Sequence, residues 1–196
     1  MQIPNFRTGF TFVELLIVIS LMAILGASVS AAFLSFEKRQ RLTEAASVLK
    51  NTVRQAQNNA LSGKSQCAAT NGGLVGWYVT LTIASNQITM TGLCETLPIA
   101  SGGPLFTFGT STVTLPAGVT VAGMAYGSTS ISGPAYELFR HLKDGVTFHS
   151  ATPFINTSDD SLLNLYGTTP QNNFTVTLSS SEGTSNVVMT SAGEVQ

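Results

Sequence analysis

Residues Gly9 to Leu16 read GFTFVELL, and the run continues as IVISLMAILGASVSAAFLSF to Phe36. Between Phe10 and Phe36 the one charged side chain is Glu14. A helix over this stretch spans roughly 40 Å at 1.5 Å per residue, more than the ~30 Å hydrocarbon layer of a bilayer. Three readings compete. One is an ordinary secretory signal peptide, with Arg7 as its charge and Ser30-Ala31-Ala32 near a small-residue cleavage site. The second is a plain signal anchor, and the third is a short leader cut off ahead of the apolar run. Glu14 separates them: a carboxylate at membrane depth costs a few kcal/mol even on lenient scales and so marks function, and a signal peptide needs none. The bland alternative is a capping box, Thr11 at N-cap with Glu14 three residues on.

Past Phe36 the pattern changes period. Leu42, Ala45, Leu49, Val53, Ala56 and Ala60 recur every three or four residues, one apolar stripe of a helix, with Lys50, Arg54 and Asn58 on another face. Ser62-Gly63 is a helix stop. The expectation is one helix from about Phe10 to Leu61, apolar all round in its first half and striped in its second, the stripe packing under a β-sheet. Beyond Gly63 the period turns to two. Trp77–Ile83 and Gln87–Thr91, around Ser85-Asn86, read as a β-hairpin. Thr112–Val121 reads as strand, turn, strand. Val146–His149, Phe174–Leu178 and Asn186–Thr190 read as further strands, the last followed by a turn at Ser191-Ala192-Gly193. Gly102-Gly103-Pro104, Tyr126–Pro134 and Asp159-Asp160 read as loops, and the chain shows no internal repeat. The fold class is therefore α+β: a long N-terminal helix on an antiparallel β-rich head.

The chain has 196 residues, of which only 10% are charged, with nine Lys+Arg against ten Asp+Glu. That balance provides no field to gather nucleic acid or anionic lipid. From Ser65 to Tyr136 the single charge is Glu95, in a segment rich in Ser and Thr, a composition that suits an exported domain.

GFTFVELL closely resembles the prepilin cleavage and methylation motif of type IV pilins and type II secretion pseudopilins, with Phe12-Val13 in place of the commoner Leu-Ile. The resemblance implies a leader of residues 1–9, cleavage by prepilin peptidase between Gly9 and Phe10, N-methylation of Phe10, and an assembly role for the acid, Glu14. It implies a membrane-spanning and filament-core helix over 10–36, its amphipathic continuation over 37–63, and a globular head over 64–196. The partners are the peptidase, other pilin or pseudopilin subunits, and the inner membrane before assembly. The head then lies outside the cytoplasm, and later in an extracellular or periplasmic filament. One observation points the other way: Lys38, Arg39 and Arg41 follow the run, and the positive-inside rule would keep them in the cytoplasm. The motif outweighs it, because a short leader must face a cytoplasmic peptidase.

Within the family, LPAGV (Leu115–Val119), the ending NFTVTLSSSEGTSNVVMTSAGEV (Asn173–Val195, a hairpin and a final strand) and VRQAQNNAL (Val53–Leu61) are similar to the GspH/FimT type. That type implies a structural subunit, a minor pilin or pseudopilin. The competing function is a binding pilin for DNA uptake or adhesion. The tail Ala192–Gln196 holds no Lys or Arg, and from Ser65 onward only Arg140 and Lys143 are basic. Phosphate binding needs several cations, which argues against nucleic acid as a partner.

Cys67 and Cys94 are the only cysteines. In an exported domain an even count implies a disulfide, here Cys67 with Cys94, one past the helix and one after the first hairpin; two separate buried thiols are the alternative. His141 and His149 stand alone and read as surface or core residues, with no metal site. Asp144-Gly145 and Asp159-Asp160 read as turns. No base stands at a motif spacing from the Ser/Thr-rich segment Thr175–Thr184, and no glycine-rich loop follows a strand, so neither catalysis nor a cofactor is expected.

Overall fold

The computed structural model describes residues 11–67, 72–96, 104–142, 145–155, 161–166 and 173–196, with the side chains of 27–32 outside that set. The chain divides into two units, Met1–Lys38 and Arg39–Gln196. A single helix, α1 (Phe12–Leu61), contributes to both.

α1 ends where glycine allows it to. Gly63 sits at φ +67°, a left-handed conformation that costs a side chain energy. The Lys64 N–H donates to Asn59 O at 3.0 Å and the Gly63 N–H to Ala60 O at 3.3 Å. This paired closure satisfies carbonyls that the helix would otherwise leave bare. In the Arg39–Leu61 part the expected stripe is the buried face: Leu42, Ala45, Leu49, Val53, Ala56 and Ala60 are all buried, joined by Thr52 and Asn59.

Among the described residues nine strands follow: β1 (Gly72–Leu81), β2 (Gln87–Thr96), β3 (Leu105–Thr114), β4 (Thr120–Tyr126), β5 (Thr129–Ile131), β6 (Ala135–Arg140), β7 (Val146–His149), β8 (Phe174–Ser180) and β9 (Gly183–Met189). They form two antiparallel sheets, β3-β2-β1-β6-β7 and β5-β4-β8-β9. The inner faces of both sheets and the buried stripe of α1 share one apolar cluster. A smaller cluster of Leu93, Leu138 and Phe154 lies on the outer face of the larger sheet. Tyr78 and Tyr136 close over it, with ring centroids 4.8 and 5.4 Å from Phe154.

Trp77 ties the helix end to the sheet. Its indole N–H donates to Lys64 O at 2.8 Å, and its ring meets the edge of Phe108 at 5.1 Å. Phe108 can lie there because residue 92 is glycine: a Cβ on Gly92 would stand 2.3 Å from the Phe108 ring.

The structure corrects several sequence expectations. The expected long helix stands as Phe12–Leu61, and Phe10 lies outside the described residues. Tyr126–Pro134 is not all loop: β5 lies inside it, pairing with β4 across a turn at Gly127. β6 was not expected at all, yet it joins β1 to β7. β3 and β4 flank LPAGV as expected but belong to different sheets, so this turn carries the chain from one sheet to the other. Cys94 lies within β2, not after the hairpin, because β2 continues to Thr96. After the β8–β9 hairpin there is no separate final strand. The chain turns back instead, and Val188 and Gln196 exchange backbone hydrogen bonds. Gly102-Gly103 and Asp159-Asp160 lie outside the described residues.

Candidate functional site

Thr11 opens α1. Its Oγ1 accepts from the Glu14 N–H at 3.3 Å, and its carbonyl accepts from the Leu15 N–H at 3.2 Å. That is the N-cap geometry, which satisfies one of the orphan donors of the first turn. The bland explanation of the Thr11–Glu14 spacing thus has a real basis. It accounts for Thr11 and the Glu14 backbone, and leaves the Glu14 carboxylate to be explained. A carboxylate in a first turn is favoured by the helix dipole, but that requires no apolar surroundings.

The surroundings are apolar on every side. Phe12, Val13, Leu15, Leu16, Ile17 and Val18 are exposed around Glu14, and the exposure continues through Leu25. Met22 is 68% exposed. A contiguous apolar surface of this kind is not left in water by a stable protein; it marks a lipid or protein contact. Phe33, Leu34 and Phe36 are exposed as well.

Among the described residues no helix is long and apolar enough to cross a membrane. The expected span of 10–36 includes Phe10 and the side chains of 27–32, which are not described. The uninterrupted part from Phe12 to Gly26 covers only about 22 Å at 1.5 Å per residue. Gly9 and Phe10, the expected cleavage and methylation positions, likewise lie outside the described residues.

In the head, Cys67 and Cys94 are joined by a disulfide, with Cα atoms 5.7 Å apart. Both are buried, and the bridge fastens the segment after α1 to β2. The histidines are structural. His141 Nδ1 donates to Ala60 O at 2.7 Å. His149 is fully buried between Leu163 O, 2.6 Å from Nδ1, and Thr147 Oγ1, 2.8 Å from Nε2. A carbonyl can only accept, so Nδ1 carries the hydrogen and Thr147 donates to Nε2. Burial accordingly holds the imidazole pKa below its usual range. Among the described residues no three His, Cys, Asp or Glu side chains converge as metal ligands.

One titratable residue escaped the sequence reading. Glu137 on β6 is fully buried, and among the described residues neither carboxylate oxygen has a hydrogen-bond partner.

The family model of the prokaryotic N-terminal methylation motif matches residues 5–30. No curated protein and no solved structure matches the chain. The matched segment holds Gly9, Phe10, Glu14 and the apolar run as far as Ser30. It supports a type IV pilin-like prepilin, a structural protein that a prepilin peptidase processes and that a membrane anchors before it assembles with other pilins.

Proposed function

We propose that this chain is a minor pilin or pseudopilin, of the GspH/FimT type, in a type IV pilus or type II secretion pseudopilus. The observation that carries the reading is the methylation-motif match over residues 5–30, coinciding with a lone acid in the Phe12–Gly26 part of α1, where the large apolar side chains are exposed all round. In this reading the peptidase removes residues 1–9 by cutting between Gly9 and Phe10, and methylates the new amine. The apolar run stays attached, so the mature chain begins with an ammonium at the head of a membrane helix. The helix sits first in the inner membrane with the head outside the cytoplasm, a side on which the Cys67–Cys94 bridge persists. It then moves into a bundle of like helices.

Glu14 has a defined task in that bundle. Leaving lipid for a packed helical core strands two charges, the carboxylate of one subunit and the amine of another. Pairing Glu14 with a neighbour's Phe10 ammonium removes both liabilities and fixes the axial register. Register is the best-attested use of a buried ion pair, whose net contribution to stability is small. Breaking such a pair from one side typically costs about 3–5 kcal/mol, or roughly one hundred- to several thousand-fold in equilibrium at about 1.4 kcal/mol per tenfold. The subtype rests on the sequence similarity of LPAGV and of the closing Asn173–Val195 segment to that type.

The test is fractionation of wild type, Glu14→Ala and Glu14→Gln into membrane pool and sheared filaments. Both variants should insert and lose their leader, since removing a charge only makes the helix more apolar. Their filament fraction should fall at least 100-fold. Wild-type amounts of both variants in filaments would reduce Glu14 to a helix-cap residue and refute the proposal.

A further inference from the structure

β6 is the strand between β1 and β7, and Glu137 stands near its middle, opposite Val79 on one side and Phe148 on the other. Side chains alternate along a strand, so Glu137 shares its face with Ala135 and Phe139. Val79, Phe148, Ala135 and Phe139 all belong to the cluster shared with the stripe of α1. The carboxyl therefore points into the core between the helix and the sheets. It is 0% exposed, and among the described residues both its oxygens lack a hydrogen-bond partner.

Nothing charged meets it among the described residues. On α1 the groups Arg39, Arg41, Glu44, Lys50 and Arg54 lie off the buried stripe. β1 and β7 bring no titratable side chain to this face, while His149 and Arg140 alternate onto the other. The four-stranded sheet brings Tyr126 alone, with its ring 5.7 Å from that of Phe148. An ionised carboxylate cannot be held in such a place without a counter-charge or donors; the group stays neutral or the core opens.

We propose that Glu137 is a proton-operated latch of the head: with the carboxyl neutral the core closes around it, and its ionisation loosens the Arg39–Leu61 part of α1 from the sheets. Burial supports this by pushing the carboxyl from 4.5 up to about 8. The folded head therefore keeps a proton that the unfolded chain has released. Its contribution to stability is complete below pH 4.5, declines as pH rises, and is gone above about 8.

The sole tryptophan, Trp77, is buried in this core and reports on it. The full-length protein in detergent is unfolded with urea from pH 5 to 9 and followed by Trp77 fluorescence, alongside Glu137→Gln and Glu137→Met. Between pH 5 and 8 the wild-type unfolding constant should rise roughly 100- to 1,000-fold more than that of either variant. At pH 8.5, amide exchange over Ala45–Ala60 should be faster in wild type than in the variants. Glu137→Met, which carries no polar head group, keeps the test open if the glutamine variant folds poorly. Parallel pH profiles for all three proteins, or equal exchange in α1, would overturn the proposal.

Discussion

The two parts of α1 differ in how apolar they are and meet opposite fates. In the Met1–Lys38 unit Leu21 is 55% exposed; in the Arg39–Gln196 unit Leu49 is 0% exposed. The difference lies in both content and arrangement. From Phe12 to Gly26 apolar residues occupy every face, and no single contact with a sheet could cover them. From Leu42 to Ala60 they keep to one stripe, and alanines at 45, 56 and 60 let the helix backbone approach the strands. A helix that is hydrophobic all round needs lipid or like helices, whereas a striped one needs a core. The two parts of the helix thus present different surfaces, one apolar all round and one striped.

The comparison can be broken most forcefully at the disulfide. Bridging Cys67 to Cys94 closes a separation of 27 residues, worth about 3.5 kcal/mol in the chain-entropy model. The double variant Cys67→Ser/Cys94→Ser should lose about that much head stability in urea unfolding, while its membrane fraction stays at the wild-type level. Non-reducing peptide mapping of exported protein should recover the two cysteines as one linked pair; recovery as free thiols would refute the bridge.

A matched pair of truncations sharpens the contrast. Leu49→Ala opens a cavity in a filled core and should cost about 3 kcal/mol of head stability. Leu21→Ala removes the same atoms from an exposed surface and should leave head unfolding unchanged within about 0.5 kcal/mol. Equal effects would mean that the two parts of the helix are not distinct environments.

The smallest effect is expected from His149. Its folded pKa is lowered, so the head holds it neutral while the unfolded chain takes up a proton near 6.5. The stability it contributes is complete above pH 6.5 and is lost as pH falls below that value, by at most about 1.4 kcal/mol per pH unit. Subtracting the pH profile of His149→Gln from that of wild type should isolate this acid-side slope. A flat difference would show that the Leu163 and Thr147 contacts do not hold the ring neutral.

Much of this was legible in the sequence, and the reasons are local. The stripe of α1 follows period, its end follows Gly63, and the β1–β2 and β8–β9 hairpins follow alternation around short turns. β6 was illegible because both its faces are covered. Tyr136 and Leu138 pack outward under Phe154, Ala135 and Phe139 pack inward, and the inward position between them holds Glu137, which reads as polar. β5 is three residues in a stretch rich in Gly and Ser, below what alternation can reveal. The motif around Gly9 and Glu14 was legible because it is a short linear pattern of residue types that needs no tertiary contact. The proton-binding core was not, since it depends on three elements meeting around a single side chain.

The most direct test of the account is the mass of the mature N-terminal peptide from membrane-extracted protein. The account predicts a chain that begins at Phe10 and carries one methyl group on its amine. A mature chain beginning between Ala31 and Phe33 would mean that the apolar run had been discarded as an ordinary signal peptide, and would contradict it.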